Sequence, residues 1–150
     1  MKIAVIILNW NGKKLLERFL PSVVAFSKGY DIYVADNGSA DDSIAFVKKK
    51  YPQIHIVKLV ENFGYAEGYN KAVKDINADV FCFLNSDVRV TQDWINPVVK
   101  VFETQPEISI IQPKILDEKK PHKFEYAGAA GGFIDQLGYC LLYTSPSPRD

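Results

Sequence analysis

Short apolar segments typical of strands alternate with longer segments of helical periodicity through the first 111 residues. The strand-like segments are continuously hydrophobic and rich in β-branched residues, as expected for strands buried on both faces of a parallel sheet. The helix-like segments repeat apolar residues at intervals of three and four. This alternation predicts an α/β fold with a doubly wound, mostly parallel sheet and helices on both faces. We predict strands over residues 3–8, 32–35, 54–60, 79–84 and 108–111, and helices over residues 15–24, 40–51, 69–76 and 94–102.

Polar residues follow each of the first four predicted strands. Ligands of open parallel sheets bind at the carboxyl ends of the strands, where all these segments would lie together. Asn, Asp and Gly are also common in turns, so one such segment carries little information. Four of them favour a binding site. The segments are Asn9–Gly12, Asp36–Ser39, Glu61–Gly64 and Asn85–Asp87.

Two residues at these strand ends suit a nucleoside. Trp10 offers an aromatic face that can stack on a base for about 1–3 kcal/mol, although a Trp there can also pack over the sheet edge. The carboxylate of Asp36 can accept a hydrogen bond from a base N–H or a ribose hydroxyl. The alternative for Asp36 is a turn-forming role before the Asn-Gly pair that follows it.

The third and fourth strand ends suit phosphates and a cation. Gly64, two residues after Asn62, can adopt a positive φ or let the backbone pass close to a ligand, and a purely structural turn explains it equally well. Asp87 can hold a divalent cation through its oxygens while a diphosphate completes the coordination shell. A turn that leads into the next helix is the alternative for residues 85–87.

Composition and missing motifs argue against several classes of protein. Lys and Arg together number 18 and Asp and Glu also number 18, so a basic nucleic-acid-binding surface is not expected. No apolar run reaches the roughly 20 residues of a membrane span. The first loop has neither Gly-x-Gly-x-x-Gly nor the P-loop pattern, which argues against a dehydrogenase and a P-loop NTPase. It also lacks a nucleotidyltransferase's Gly-rich basic loop and the paired acids of a receiver domain.

Four stretches in order resemble the family 2 glycosyltransferases of GT-A fold, and in particular their rhamnosyltransferase-like branch. The resemblance covers residues 1 to about 90 well and residues 91–139 loosely. The stretches are VIILNWNG at 5–12, VADNGSADDS at 34–43, NFGYAEGYN at 62–70 and FLNSDV at 83–88.

The resemblance implies a nucleotide-sugar site with a metal ligand. Asn85 and Asp87 correspond to the family's Asp-x-Asp motif, and Asp87 would bind the cation, Mg²⁺ or Mn²⁺. Asn85 departs from the commoner Asp, which removes one charge and puts the metal affinity, though not the fold, in question. Trp10 would stack on the base and Leu8 would contact it through the backbone. The implied nucleotide-sugar-binding residues are Leu8, Asn9, Trp10, Asp36, Asn62, Gly64, Asn85 and Ser86.

The resemblance also implies an activity. A full-length enzyme would transfer a hexosyl or rhamnosyl group from a nucleoside-diphosphate sugar to a hydroxyl of a glycan or lipid-linked acceptor, with inversion, in bacterial polysaccharide or glycoconjugate synthesis. The catalytic base of the family lies well past the Asp-x-Asp motif, and we assign no catalytic residue here. Glu118, Glu125 and Asp135 are available carboxylates. A nucleotide-binding module without catalysis and a nucleotidyltransferase stay open as alternatives.

Residues 140–150 differ from the rest of the chain. They continue no periodicity, and they resemble the translation of a sequencing adapter; a short disordered terminus is the alternative. We therefore expect a C-terminally truncated glycosyltransferase domain over residues 1–139 and a non-native tail over 140–150. We expect the protein in the cytoplasm or at the inner face of the cell membrane, where only a missing C-terminal part would bind the membrane.

Overall fold

The computed structural model describes residues 1–125 and the backbone of residues 133–134 and 140–141. The chain divides into two compact units, Met1–Val99 and Lys100–Asp150. Within the described residues no helix is both long and apolar enough to cross a bilayer. The elements are β1 Ile3–Asn9, α1 Lys13–Phe26, β2 Asp31–Asn37, α2 Ser43–Lys50, β3 His55–Leu59, α3 Ala66–Val73, β4 Val80–Asn85, α4 Asn96–Thr104, β5 Phe133–Ile134 and β6 Cys140–Leu141.

The first four strands form a single parallel sheet. Their order is β3-β2-β1-β4, and every neighbouring pair in it is parallel. The chain therefore moves outward from β1 through β2 to β3, and then returns to the other side of β1 as β4. This reversal is the topological switch point at which open α/β sheets bind ligands. The predicted α/β class and the parallel sheet are confirmed.

Successive β1 residues enter two separate hydrophobic cores, because side chains alternate between the two faces of a strand. The odd-numbered apolar residues of β1 pack with side chains of α1 and α2, including Leu16 and Val47. The even-numbered ones pack with α3, including Tyr69 and Ala72. Each fully buried large apolar side chain contributes about 1.5–3 kcal/mol. The two cores confirm that helices cover both faces of the sheet.

The predicted fifth strand, residues 108–111, was wrong. These residues form no strand, and Ile110 is almost fully exposed. The backbone N–H of Ile108 instead donates to the carbonyl of Gln105 in a turn. A short apolar run needs a neighbouring strand to satisfy its backbone groups, and none of the described strands pairs with this one.

The second unit contains a small antiparallel pair, β5 with β6. An isolated antiparallel bridge joins Leu116 to Phe124 in the same unit. Apart from the backbone of residues 140–141, the segment predicted to be a non-native tail lies outside the described residues. The domain boundary at residue 139 therefore stays a prediction.

The predicted start of the second helix, residue 40, was wrong by three residues. The N–H groups of Ala40 and Asp41 donate to the side-chain oxygen of Asn11, at 2.8 and 3.3 Å. A side chain from the first loop thus takes up backbone donors, and α2 begins only at Ser43. Oδ1 of Asp41 accepts the N–H of Ser43, the first residue of α2, at 3.1 Å.

Candidate functional site

The register of the sheet aligns the polar strand ends at one edge. Asn9, the last residue of β1, lies opposite Asp36 on β2. On the other side of β1, Leu8 lies opposite Asn85 at the end of β4. Strand β3 ends opposite Asn37. The predicted convergence of the four polar segments is therefore confirmed.

Asn9 connects the first two loops through the hydrogen bonds of its buried side chain. Its side chain is fully buried, and its amide nitrogen donates to the hydroxyls of Ser39 at 3.1 Å and Ser43 at 2.9 Å. A β-carbon at Gly12 would lie 2.5 Å from the amide oxygen of Asn9, so only glycine lets the first loop close over it. Because this side chain is inaccessible, it supports the loops that carry the exposed groups.

Asn11 extends the same network toward the surface. Its backbone adopts a φ of 50°, and its N–H donates to the hydroxyl of Ser39 at 2.9 Å. Two residues further along the chain, the N–H of Lys13 donates to Asp41 at 3.0 Å. Slight desolvation raises the pKa of the Asp41 carboxyl, but hydrogen bonds from Ser43 and Lys13 outweigh it and hold that pKa below its usual value. The first and second loops therefore form one hydrogen-bonded unit.

Asp36 lies almost buried below this unit, with only 8% of its surface exposed. Its Oδ1 accepts the N–H of Ser39, three residues further along the chain, at 3.1 Å, and so stabilises the turn after β2. One oxygen of Asp36 therefore has the turn-forming role that was the alternative to ligand binding. A carboxylate has a second oxygen with free acceptor capacity, so the turn does not prevent a ligand contact.

Asn37 holds the third loop against the second. Its amide nitrogen donates to the side-chain oxygen of Asn62 and to the carbonyl of Gly64, both at 2.9 Å. Its own oxygen accepts the N–H of Phe63 at 3.0 Å. Asn37 is nearly fully buried, and sequence reasoning missed it because an Asn before Gly is explained by the turn alone. The one available signal in the sequence was that Asn37 occupies a position that still belongs to the apolar pattern of the strand.

Asn62 and Gly64 are both exposed and shape the third loop. The N–H of Gly64 donates to Oδ1 of Asn62 at 2.9 Å, and Gly64 has a φ of 73°. A β-carbon at Gly64 would meet no atom within 4 Å. The space above this backbone is therefore open to a ligand.

Trp10 projects from the first loop with 58% of its surface exposed. The alternative in which it packs over the sheet edge is wrong. Leu8, which precedes it by two residues, is half-buried on the α3 side of the sheet. An exposed indole next to the strand ends is free to stack on a planar ligand.

The segment after β4 presents its polar groups to solvent. Asn85 and Asp87 are exposed and Ser86 is half-buried. The hydroxyl of Tyr65, from the start of α3, donates to Oδ1 of Asn85 at 3.0 Å. Sequence reasoning missed Tyr65, whose neighbours in the chain gave no sign of a contact 20 residues away.

The described residues contain no cluster of three or more His, Cys, Asp or Glu side chains that could hold a metal ion. The anionic donor that residues 85–87 offer, the single carboxylate of Asp87, suits Mg²⁺ or Mn²⁺ only if a ligand supplies further oxygens. Magnesium is usually bound in this manner, by one or two carboxylates together with substrate phosphates. The residues therefore fit a cation that arrives with a diphosphate.

The sheet order, the two helical layers and the polar edge define an α/β domain of the GT-A fold. The model of the family described as Glycosyl transferase family 2 matches residues 4–134. This match spans most of the chain, and the protein belongs to family 2 of the glycosyltransferases.

The curated relatives that the chain matches include a glycosyltransferase and a sugar transferase. The chain is 27% identical over 114 residues to the uncharacterized glycosyltransferase YfnE of Bacillus subtilis (strain 168), covering 73% of this chain and 29% of YfnE. It is 26% identical over 110 residues to the undecaprenyl-phosphate 4-deoxy-4-formamido-L-arabinose transferase of Photorhabdus laumondii, covering 68% of this chain and 34% of that enzyme. The chain thus spans about a third of the length of these two relatives.

Solved structures with the same fold include two nucleotide-sugar complexes. Staphylococcus aureus TarS residues 1–349 with UDP-GlcNAc has a TM-score of 0.63 at 18% identity, covering 79% of this chain and 39% of that one. The mannosyltransferase PcManGT of Pyrobaculum calidifontis with GDP-Man and Mn²⁺ has a TM-score of 0.64 at 19% identity, covering 75% and 36%. At these identities the likeness concerns the fold.

Proposed function

We propose that this chain binds the nucleoside-diphosphate sugar of a glycosyltransferase that passes the sugar to an acceptor hydroxyl with inversion. The observation that carries the proposal is the convergence of exposed Trp10, acidic Asp36 and exposed Asp87 at the switch point of one parallel sheet. The complexes of TarS with UDP-GlcNAc and of PcManGT with GDP-Man and Mn²⁺ support it at the level of the fold.

Each strand end has a part in donor binding. The indole of Trp10 stacks on the base, and the free oxygen of Asp36 accepts a hydrogen bond from the base or the ribose. Asn62 and Gly64 line the nucleoside from the third loop. Leu8 contributes through its backbone, and Asn9 acts indirectly by fixing the first two loops.

The fourth strand end handles the diphosphate. Asp87 holds the cation by one carboxylate, while Asn85 and Ser86 offer neutral polar groups to the phosphate oxygens. A cation held there, Mg²⁺ or Mn²⁺, would supply positive charge to offset that of the diphosphate leaving group. Since Asn85 contributes no charge, Asp87 is the only anion that residues 85–87 offer the cation.

In the proposed reaction, the acceptor oxygen attacks the anomeric carbon from the face opposite the diphosphate. The bond from that carbon to the diphosphate oxygen breaks, and its electron pair leaves with the nucleoside diphosphate. The transition state resembles an oxocarbenium ion, and a carboxylate base takes the hydroxyl proton. We assign no base: Glu118 and Glu125 are exposed in the second unit, and Asp135 lies outside the described residues.

The finer assignments are also proposals. We propose a hexosyl or rhamnosyl donor, and a glycan or lipid-linked acceptor in bacterial polysaccharide synthesis. The similarity to the Photorhabdus relative, named as an undecaprenyl-phosphate transferase, supports a lipid-linked acceptor. A nucleotide-binding module without transfer activity is the second candidate, because the described strand ends offer groups that could bind a donor and none that we assign as the catalytic base.

Titration calorimetry of the 150-residue chain with UDP, GDP and dTDP, each with and without MnCl₂, tests donor binding. We expect at least one diphosphate to bind more tightly with Mn²⁺, and Asp87→Asn to abolish the gain from the cation. The matched control is Asp75→Asn, an exposed acid after the far end of α3, which should keep the gain. A folded chain that binds none of the three, or an unchanged cation effect in Asp87→Asn, would overturn the proposal.

A further inference from the structure

Tyr65 and Asn85 meet across the site although 20 residues separate them in the chain. The Tyr65 hydroxyl donates to the side-chain oxygen of Asn85 at 3.0 Å. Tyr65 is the residue immediately before α3, and Asn85 is the last residue of β4. The contact therefore links the third loop to the segment that precedes Asp87.

The ring of Tyr65 rests on a rigid support. It packs edge-to-face on Tyr69 with the ring centroids 5.0 Å apart, and Tyr69 in turn packs on Phe83 at 4.8 Å. Tyr69 is buried, and its hydroxyl donates to the carbonyl of Leu84 at 3.0 Å. Two tyrosines one helical turn apart thus attach the start of α3 to consecutive residues of β4, Leu84 and Asn85.

The hydrogen bond sets the orientation of the Asn85 carboxamide. With Oδ1 turned toward the donor hydroxyl of Tyr65, the NH₂ group points the other way. Among residues 1–125 this NH₂ group has no hydrogen-bond partner. An amide NH₂ is a donor of two hydrogen bonds and accepts none, so it suits a phosphate or ribose oxygen and cannot bind a cation.

We propose that Tyr65 is a positioning residue that turns the Asn85 amide so that its NH₂ group donates to an oxygen of the bound nucleoside diphosphate. This inference rests on the proposed function, since it deepens the role of the same site. It assigns a function to Asn85, the neutral residue at the first position of the metal motif. Asn85 would hold the donor directly, and Asp87 would hold the cation.

A double-mutant cycle tests the coupling of the two residues. Tyr65→Phe keeps the ring on Tyr69 and removes only the hydroxyl; Asn85→Ala removes the amide. Using UDP, GDP or dTDP, whichever binds with MnCl₂, we expect each single variant to weaken binding about three- to tenfold, as for a lost hydrogen bond. The double variant should be no weaker than Asn85→Ala alone, because the hydroxyl acts through the amide.

Tyr30→Phe is the matched control. Its hydroxyl also donates to an asparagine, Oδ1 of Asn96 at 2.6 Å, but at the opposite edge of the sheet, where β2 begins. This variant should bind the diphosphate as the unmodified chain does. A second readout is the side-chain NH₂ signal of Asn85 in a ¹⁵N NMR spectrum, which should shift in Tyr65→Phe and not in Tyr30→Phe.

The possible failures are distinguishable. If the unmodified chain binds no nucleoside diphosphate, the proposed function fails and this inference fails with it. If the chain binds but Tyr65→Phe binds equally well, or if the losses in the double variant add, the positioning role is wrong and the proposed function stands.

Discussion

A β-carbon on Gly38 would lie 2.6 Å from the carbonyl carbon of Glu61. The turn after β2 and the turn after β3 are thus in backbone contact, and Gly38 also has a φ of 74°. These two loops carry candidate ligands of the nucleoside. They can pack this closely only because residue 38 has no side chain. This contact complements the hydrogen bonds of Asn37 to the third loop.

The first prediction separates this contact from backbone strain. Gly38 and Gly64 have nearly equal positive φ values, 74° and 73°, but only Gly38 is crowded. Gly64→Ala should cost about 1–2 kcal/mol of unfolding free energy from strain alone, and Gly38→Ala about 3–5 kcal/mol because the loops must also separate. Urea denaturation of the two variants measures the difference. Equal losses would mean that the turns are not packed as described.

The second prediction concerns Asn37. Asn37→Asp keeps the shape but removes the two N–H donors that reach Asn62 and Gly64, and leaves oxygen facing oxygen in a buried position. Unsatisfied buried groups cost about 1–3 kcal/mol each, so we expect a loss of about 2–4 kcal/mol in urea denaturation at pH 7. The exposed Asn77→Asp variant should change stability by less than about 0.5 kcal/mol. A comparable small change at Asn37 would contradict its role in joining the loops.

The third prediction concerns Trp10. If its exposed indole stacks on a base for about 1–3 kcal/mol, Trp10→Ala should weaken nucleoside diphosphate binding between about fivefold and 100-fold. Trp10→Phe keeps an aromatic face and should retain most of the affinity. Both variants should unfold at nearly the same urea concentration as the parent, since an exposed side chain adds little stability. Undiminished binding by Trp10→Ala in calorimetry would remove Trp10 from the site.

The fourth prediction concerns Cys82 on β4. Burial raises the pKa of its thiol from 9.0 to about 11. A raised pKa means that the folded state keeps the proton while the unfolded state loses it, so unfolding free energy should fall as pH rises from about 9 to about 11. Cys82→Ala should flatten this part of the pH profile. The difference between the two profiles isolates Cys82 from Tyr69, whose pKa burial also raises. Parallel profiles would show that the thiol is not desolvated.

Much of the fold follows from local sequence patterns. Continuous apolar runs such as Ile3–Leu8 identify strands buried on both faces, and the polar residues after them mark where those strands end. Since parallel strands share one carboxyl edge, the joint position of Trp10, Asp36 and Asp87 needs no knowledge of tertiary contacts. The run at 108–111 was misread, because an apolar pattern does not reveal whether a partner strand is present.

The sequence by itself determined the α/β class, the four polar strand ends and the candidates for ligand contact, because apolar runs and their periodicity are properties of neighbouring residues. Only the tertiary structure decided that Asn9 is a buried support, that Asn37 holds the third loop and that Tyr65 meets Asn85. These contacts join residues 20 to 34 positions apart, and their pairing depends on the strand register and the position of α3. A local pattern cannot encode which distant side chain satisfies a given polar atom.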